Sequence, residues 1–191
     1  MTHIAIEGMD GVGKTTTCKL LAERLGYKFI EKNLRFLFDE KDGVDNYLRI
    51  RDKVNASSDR LFTSWFYGLG NIYLYTMFRG ENIITDRHFL SNYAWSGTEE
   101  NREVYDLLVC KLGFPDLTVI LYADEKAILE RLKKRNEEDN DLKKVKKTQE
   151  KYEKMITFCE QYKMPYMVID TSFLSPEQVV DRIIKRITGE K

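Results

Sequence analysis

The segment from Gly8 to Thr15, Gly-x-x-x-x-Gly-Lys-Thr, constrains this chain more than any other feature of its sequence. Glycines let a backbone bend closely around an anion, and successive N–H groups then point inward at phosphate oxygens. Lys14 is spaced to reach the β- and γ-phosphates, and the Thr15 hydroxyl is spaced to ligate Mg²⁺. A short apolar run precedes the segment and a helical pattern follows it, which is the context that this motif requires. The sequence therefore predicts that the chain binds a nucleoside triphosphate.

This segment supplies most of the candidate binding residues. The helix predicted after it directs the positive end of its dipole at the same phosphates. We expect the Lys14 ammonium to be exposed until a nucleotide arrives. The predicted phosphate-binding residues are Gly8, Asp10, Gly11, Val12, Gly13, Lys14, Thr15 and Thr16.

Strand-like and helix-like segments alternate along the chain. Strands are predicted at residues 3–7, 27–31, 82–86, 117–124 and 165–170. Helices are predicted at residues 14–25, 59–79, 102–112 and 125–163, from 176 onward, and, interrupted by loops, within 33–58. This order predicts an α/β fold, the three-layer sandwich of P-loop NTPases, with a five-stranded parallel sheet and helices on both faces. We treat residues 1–191 as a single domain with a short helical lid at about 131–147.

Composition narrows the possible partners and the compartment. The 31 Lys and Arg balance the 31 Asp and Glu, which argues against a dedicated nucleic-acid or membrane-surface binder. Cys18, Cys110 and Cys159 are an odd number without disulfide or zinc spacing, and they suit a reducing compartment. No apolar run approaches the roughly 20 residues of a membrane span, and the chain enters a strand at once, without a leader. We therefore expect a cytoplasmic protein that binds a small molecule, with no nucleic-acid or membrane partner.

Two motifs carry a resemblance to a known family. Residues 7–16 closely resemble the opening of thymidylate kinases, within the wider group of nucleoside and nucleoside-monophosphate kinases. Residues 86–94, Asp-Arg-His-Phe-Leu-Ser-Asn-Tyr-Ala, resemble that family's second signature, and residues 115–121 and 130–135 resemble its fourth strand and its lid entry. The resemblance implies phosphoryl transfer from ATP, with Mg²⁺, to a deoxynucleoside monophosphate, such as dTMP to dTDP. It also implies a homodimer formed through helices like the one predicted at 59–79.

The same resemblance proposes roles for several charged residues. Asp86 ends a buried strand, so its carboxylate is expected beside Thr15, where the two hold Mg²⁺, and Arg87 is expected to form a fork on the acceptor phosphate. Asp124 also ends a strand, but the residues after it indicate a helix cap. Gly11 stands where one style of this family has an arginine, so the lid is expected to supply the cations. The predicted catalytic residues are Lys14, Asp86, Arg87, Arg131 and Arg135.

The acceptor half departs from the family pattern. Phe62 is expected to stack on the acceptor base, but Phe66 replaces an arginine that contacts the acceptor nucleotide in the family. The family's Arg-Glu-Pro-Gly-Gly is absent after the second strand, and its Ala-Tyr-Gln becomes Ala-Trp-Ser at 94–96. The proposed substitutes for the missing arginine are Arg35, Arg49, Arg51 and Arg60, and the proposed acceptor-binding residues are Glu31, Phe62, Phe66, Arg87, Tyr93 and Trp95.

Two alternatives stay open. Deoxynucleoside kinases place a glutamate after the second strand as the base for the 5′-hydroxyl, and Glu31 occupies that place. The chain would then phosphorylate a nucleoside. A nucleotide-dependent switch without phosphoryl transfer has less support, because the sequence contains no Asn-Lys-x-Asp motif for reading guanine.

Overall fold

The computed structural model describes residues 1–41, 43–135 and 145–189. The strands in these residues are β1 His3–Gly8, β2 Lys28–Ile30, β3 Ile83–Asp86, β4 Leu117–Tyr122 and β5 Tyr166–Asp170. The helices are α1 Lys14–Leu25, α2 Arg35–Phe38, α3 Asp45–Ala56, α4 Arg60–Met77, α5 Phe89–Ser96, α6 Arg102–Leu112, α7 Glu125–Arg135, α8 Thr148–Tyr162 and α9 Pro176–Thr188, with a 3₁₀ turn at Glu99–Asn101.

The strands form one parallel sheet in the order β2-β3-β1-β4-β5. Ile6 of β1 pairs with Asp86 of β3, and Gly8 pairs with Leu121 of β4. The carboxyl ends of β1 and β3 therefore lie side by side, at the edge where parallel sheets of this class bind ligands. The predicted fold class, a five-stranded parallel sheet in an α/β fold, is confirmed.

Helices cover both faces of the sheet. Ile4 and Ile6 of β1 pack into one apolar cluster with Leu21 of α1 and Ile183 of α9. A second cluster on the other face joins α5, α6 and α8 to β4, and its largest members include the fully buried Phe158. Burying a side chain of this size contributes roughly 1.5–3 kcal/mol, so the two clusters fix the helices against the sheet. The predicted three layers are present.

Local signals place several helix ends where the sequence predicts them. Helix α1 begins at Lys14 and ends before Gly26, whose φ of 65° lies in the left-handed region that favours glycine. Helix α9 begins with Pro176, and the Ser175 hydroxyl accepts the N–H of Gln178. Such capping signals are contained within a few residues, and for that reason the sequence alone reveals them.

Three elements differ from the prediction. Of the single helix predicted at 125–163, the described residues form α7 and α8, and residues 145–147 before α8 are not α-helical. The interrupted helix expected within 33–58 is two helices, α2 and α3, and the Asp39 carboxylate between them accepts the N–H groups of Asn46 and Tyr47 at 2.9 and 2.8 Å. Helix α5 was not predicted. Its first turn is held by the side chain of Glu7 in β1, a contact between distant parts of the chain that local patterns do not reveal.

His3 ties the sheet to α4 behind the carboxyl edge. Its Nδ1 lies 2.9 Å from the Tyr75 hydroxyl of α4, and its Nε2 lies 2.9 Å from the Thr85 hydroxyl of β3. Burial lowers the pKa of His3 to about 4, although Asp116 opposes this shift. The ring is therefore neutral near pH 7, and it fixes α4 against β1 and β3.

The predicted lid at about 131–147 stays a prediction, because the structure describes only its two ends. The Asp124 carboxylate accepts the N–H of Ala127 at 2.7 Å, so the interpretation of Asp124 as a helix cap is confirmed. Helix α7 runs to Arg135, and residues 136–144 of the predicted lid lie outside the described residues. Among the residues that the structure describes, no helix has both the length and the apolar surface needed to cross a membrane.

Candidate active site

The phosphate loop leaves β1 along a path that only glycine permits. Gly8, Gly11 and Gly13 have φ angles of 136°, 86° and 98°, all in the left-handed region. A Cβ built on Gly8 would lie 2.3 Å from the carbonyl oxygen of Leu121 in the neighbouring strand. The chain can therefore turn tightly between β1 and β4 and enter α1 at once. This turn directs the N–H groups of the first turn of α1 at the loop.

Lys14 is folded back over the loop. Its side chain is only 6% exposed, and Nζ donates to the Met9 carbonyl at 2.8 Å and lies 3.6 Å from the Asp10 carboxylate. Burial, followed by the charge of Arg87, lowers the pKa of Lys14. The expectation that Lys14 is exposed before nucleotide arrives is wrong, because the loop itself supplies acceptors for the ammonium. Phosphate oxygens would replace the Met9 carbonyl as the partner of Nζ.

Thr15 and Asp86 meet at the end of β3. The Thr15 hydroxyl donates to Asp86 Oδ2 at 2.5 Å, so these two oxygens stand together at the start of α1. Mg²⁺ prefers oxygen ligands and commonly takes one or two from the protein, with waters and substrate phosphates completing its shell. The pair fits that ion in chemistry and in position. In the described ranges no group of three or more His, Cys, Asp or Glu is arranged to hold a metal, so any metal here would depend on substrate oxygens.

Arg87 connects the phosphate loop to α5. Its Nη1 donates to the Gly8 carbonyl at 3.2 Å and to the Ser91 hydroxyl at 2.9 Å, and its Nη2 donates to Asp10 at 2.6 Å. Its backbone has a φ of 77°, a conformation that costs a non-glycine residue about 1–3 kcal/mol and that clusters at functional sites. Burial alone would lower the pKa of Arg87, but Asp10 and other nearby carboxylates raise it above its ordinary value. The guanidinium is therefore a fixed cation at the junction of the loop and α5.

Glu7 supports the site from the core, and the sequence prediction did not include it. Its side chain is fully buried, and its carboxylate accepts the N–H groups of His88, Leu90 and Ser91 together with the Ser91 hydroxyl. A signal was present, because Glu7 is a charged residue inside an apolar strand. Lys and Glu are almost never fully buried unless they are paired.

The cavity extends from the loop to α3, α4 and α5. Its volume is about 1340 Å³, larger than the roughly 300–1,000 Å³ of a pocket for one drug-sized ligand. Beside the loop, its lining residues include Arg131, Leu132, Thr171, Leu174, Pro176 and Val179. At the far end they include Glu31, Tyr47, Arg51, Arg60, Thr63, Tyr67, Asn71, Asn92 and Trp95. The cavity therefore has room for two nucleotide-sized molecules, one at each end of the loop.

Helix α4 presents a different face to the cavity than the sequence analysis proposed. Thr63, Tyr67 and Asn71, spaced four apart, line the cavity. Phe62 is 50% exposed, and Phe66 stacks on the ring of Phe38 with their centroids 6.1 Å apart. A similarity in sequence places residues along a helix, but the rotation of that helix depends on its packing. The sequence did contain a signal for the correct face, because Thr63, Tyr67 and Asn71 are polar residues spaced four apart in a mostly apolar helix.

The remaining acceptor candidates divide between the cavity and the core. Glu31 and Trp95 line the cavity, and their role in binding the acceptor stays a prediction. Tyr93 instead packs against Phe158 in the second core cluster, with their ring centroids 4.7 Å apart. Phe62, Phe66 and Tyr93 are not among the described residues that line the cavity, so the structure gives no support to their proposed contacts with the acceptor.

Two of the four substitute arginines reach the cavity. Arg51 of α3 is half-buried and Arg60 at the start of α4 is exposed, and both are among the lining residues. Arg35 and Arg49 are not among the described residues that line it. Arg51 also pairs with Asp52 at 2.6 Å.

Arg131 connects α7 to the loop. Its Nη1 lies 3.5 Å from the Gly11 carbonyl and donates to the Thr171 hydroxyl at 3.1 Å, and its Nη2 donates to the Thr171 carbonyl at 2.6 Å. The Thr171 hydroxyl contacts the Val12 carbonyl at 3.0 Å. The segment after β5 is thereby joined to the phosphate loop. The side chain of Arg135, the last residue of α7, lies outside the described part of the structure.

This arrangement defines a class of protein. A glycine-rich loop runs from a buried strand to a helix, and Lys14, Thr15, Asp86 and Arg87 surround it, which is the set of groups that phosphoryl transfer from a nucleoside triphosphate requires. The AAA domain family matches residues 4–155, and the chain belongs to this family. Within it, the chain is a P-loop kinase of the nucleoside and nucleotide kinase group.

Known relatives are similar over most of their length. A "Probable thymidylate kinase" from Metallosphaera sedula is 27% identical over 165 residues, which cover 85% of this chain and 81% of the relative. A Thermococcus kodakarensis protein named after adenylate kinase is 29% identical over 188 residues, which cover 96% of this chain and 84% of the relative. The structure of deoxyadenosine kinase from M. mycoides, 20% identical, covers 98% of this chain and 100% of its own with a TM-score of 0.66. These three relatives are all named as kinases, but their names give different acceptors. The acceptor of this chain must therefore be inferred from its cavity.

Proposed function

We propose that this chain transfers the γ-phosphoryl group of ATP to a deoxynucleoside monophosphate, as thymidylate kinases do. The supporting observation is that three arginines, Arg51, Arg60 and Arg87, line the cavity beyond the loop. Asp52 pairs with Arg51 and Asp10 with Arg87, each at 2.6 Å, so an acceptor phosphate would compete with these carboxylates. A monophosphate acceptor brings about two negative charges, and guanidinium groups bind phosphate through paired, charge-assisted hydrogen bonds. A nucleoside acceptor brings no charge and requires no such set of cations.

The proposed chemistry needs few groups from the protein. The loop N–H groups and Lys14 hold the β- and γ-phosphates, and Arg87 stands between them and the acceptor end. The acceptor phosphate oxygen is already an anion, so it attacks the γ-phosphorus without a general base as the bond to the β-phosphate oxygen breaks. Thr15 and Asp86 would hold Mg²⁺, which would neutralise negative charge on the phosphates of ATP. Arg131, which already contacts the loop at Gly11, adds a cation from the lid.

The end of the cavity near β5 suits the base of the donor. Leu132, Leu174, Pro176 and Val179 line it and form an apolar wall beside the phosphate loop. A planar purine buries apolar area against such a wall. We assign the ATP base to this end, which leaves the arginine-lined end for the acceptor.

Glu31 favours a second candidate, a deoxynucleoside kinase. It follows β2, lines the same cavity and pairs with Lys32 at 3.0 Å. A carboxylate in this place can accept the proton of a 5′-hydroxyl as it attacks, which is general base catalysis. The two candidates differ only in the acceptor and make opposite predictions for a substrate panel.

The test is ADP release with ATP, Mg²⁺ and a panel of deoxynucleosides and their monophosphates. We expect turnover with at least one monophosphate, and turnover confined to nucleosides would overturn the proposal in favour of the second candidate. Replacing Arg51 with methionine should raise the KM for the monophosphate by about 10- to 100-fold, since a hydrogen bond to a charged group contributes roughly 1.5–3 kcal/mol. Arg49→Met, a change in the same helix at a residue outside the cavity lining, is the matched control and should leave this KM unchanged. An unchanged KM in Arg51→Met would contradict the role of Arg51.

We also propose a homodimer formed through the outer face of α4. Leu61, Trp65, Leu69 and Ile72 lie on the side opposite the cavity-lining residues, and they are 51%, 41%, 40% and 39% exposed. A contiguous apolar stripe of this kind is typical of a surface that a partner covers. A second copy of the chain would cover it with the same stripe.

Sedimentation tests this dimer. The wild type should sediment as a dimer at micromolar concentration, and Trp65→Glu with Leu69→Glu should convert it to a monomer, because the interface would have to bury carboxylates. Lys185→Glu on α9, across the sheet, is the matched control and should stay dimeric. A wild type that is monomeric at every concentration would refute the proposal.

A further inference from the structure

We propose that Glu7 is a positioning residue for phosphoryl transfer, acting on Arg87 through the Ser91 hydroxyl. The proposal rests on the function proposed above, in which Arg87 contacts the transferring or accepting phosphate. Glu7 itself does not line the cavity among the described residues. Its effect must therefore pass through the side chains that it contacts.

All four contacts of the Glu7 carboxylate are with hydrogen-bond donors. Oε1 accepts the N–H of His88 at 2.8 Å and of Leu90 at 3.0 Å, and Oε2 accepts the N–H of Ser91 at 3.2 Å and its hydroxyl at 2.5 Å. A backbone N–H can only donate, and the three of them form the start of α5, where the helix dipole favours a negative charge. Burial raises the pKa of Glu7 above its ordinary value, and these hydrogen bonds and the charge of Arg87 offset only part of that rise. We take Glu7 as ionised on geometry, because three of its four partners are N–H groups that cannot accept a proton.

The charge on Glu7 fixes the direction of the Ser91 hydroxyl. Serine has one hydroxyl proton, and Ser91 donates it to Glu7. The Ser91 oxygen then meets Arg87 Nη1 at 2.9 Å with a lone pair, which the guanidinium requires because it has donors and no acceptor. The two hydrogen bonds therefore point the same way: Arg87 donates to Ser91, and Ser91 donates to Glu7.

These contacts set the orientation of the Arg87 guanidinium. Ser91 holds one edge of it from α5, while the Gly8 carbonyl and Asp10 hold it from the phosphate loop. The Arg87 backbone is in the left-handed region, so its side chain starts from an unusual direction. A change in the Ser91 contact would turn the guanidinium relative to the phosphates without any change in a residue that lines the donor end.

Glu7→Gln tests the polarity with almost no change in shape. An amide group on the Oε1 side would face two backbone N–H groups, at 2.8 and 3.0 Å. On the Oε2 side it faces only that of Ser91, at 3.2 Å, and a hydroxyl that can turn, so it takes the Oε2 side. Ser91 then accepts from glutamine, so its own proton loses Oε2 as its acceptor and has to turn, which disturbs the lone pair that Arg87 Nη1 uses. We expect the acceptor KM to rise about tenfold or more, with ATP affinity unchanged within about twofold, since Lys14 and the loop are intact.

The double variant Glu7→Gln/Ser91→Ala separates positioning from structural support. Removing the hydroxyl removes the proton that glutamine leaves without an acceptor, so we expect a lower acceptor KM in the double variant than in Glu7→Gln alone. Ser91→Ala by itself should raise the KM several-fold. A purely structural role for Glu7 predicts the reverse, a double variant worse than either single variant. Ser64→Ala in α4 is the matched control. The buried Ser64 hydroxyl bonds to Tyr105 and Asn101, away from Arg87, so the variant should lose stability and keep the wild-type KM.

Steady-state kinetics with the best acceptor, together with calorimetry of ATP binding, gives the result. A double variant worse than both single variants would overturn the inference, and so would a wild-type acceptor KM in Ser91→Ala, which remains informative if Glu7→Gln does not fold. A wild type that turns over no nucleoside or nucleotide would remove the proposed function and this inference with it. Wild-type turnover without any KM change in the variants would remove this inference alone.

Discussion

Replacing Lys14 with alanine is expected to lower kcat by about 10³-fold, the loss seen when one preorganised donor to transition-state charge is removed. The melting temperature should not fall, because the removed ammonium is desolvated: its side chain is 6% exposed, and burial lowers its pKa. Asp10 keeps a cationic partner in Arg87, at 2.6 Å. ADP release and thermal unfolding, measured on the same preparation, check both parts.

Lys19→Ala is the control for Lys14→Ala. Lys19 lies in the same helix and is exposed, so the substitution should change neither activity nor stability. If Lys14→Ala retains more than a tenth of wild-type activity, the loop does not hold the transferring phosphate through Lys14. If Lys14→Ala instead unfolds, the hydrogen bond from Lys14 to the Met9 carbonyl stabilises the loop.

The donor half of the site was predictable because its residues are contiguous. Gly8, Lys14 and Thr15 lie within one short segment that runs from the end of β1 to the start of α1. Residues this close in sequence are also close in space, so the motif alone predicts that they share a site. Asp86 required one further step, that neighbouring parallel strands end at one edge, and the pairing of Ile6 with Asp86 satisfies it. The burial of Lys14 was not predictable, since its partner, the Met9 carbonyl, depends on how the loop closes.

The acceptor half depends on packing between distant elements. Thr63 and Tyr67 face the cavity while their neighbours Phe62 and Phe66 do not, and one helical step of about 100° separates the two outcomes. A similarity in sequence carries no information about that rotation when the packing partners differ. Arg51 comes from a helix whose start depends on Asp39, so its place in the cavity also follows from tertiary contacts.

The strands could be predicted from local sequence, whereas α5 could not. Each strand is a short apolar run that is visible in the sequence, and five such runs predicted the sheet. Helix α5 is only eight residues long, and its first N–H groups are satisfied by Glu7, which lies 81 to 84 positions earlier in the chain. Glu7 therefore does two things at once: it starts α5 and it connects that helix to Arg87 through Ser91.

Gly8→Ala is expected to lower the free energy of unfolding by about 4 kcal/mol, at the upper end of single substitutions. Its Cβ would lie 2.3 Å from the Leu121 carbonyl oxygen, a backbone atom of the paired strand that cannot rotate away. The φ of 136° adds strain for any residue with a side chain. Either β1 separates from β4 or the loop leaves its path, and in both cases nucleotide binding should be lost. Denaturant unfolding and calorimetry with ATP measure the two effects.

Gly13→Ala separates backbone strain from the clash in this prediction. Gly13 also has a left-handed φ, of 98°, but a Cβ there would meet nothing within 4 Å. It should therefore cost only the strain of about 1–2 kcal/mol, leaving the remainder of the Gly8→Ala effect to the contact with Leu121. Equal losses in the two variants would mean that β1 and β4 do not approach at Gly8 as closely as the register requires. The tight turn that aims the loop N–H groups at a phosphate would then need a different origin.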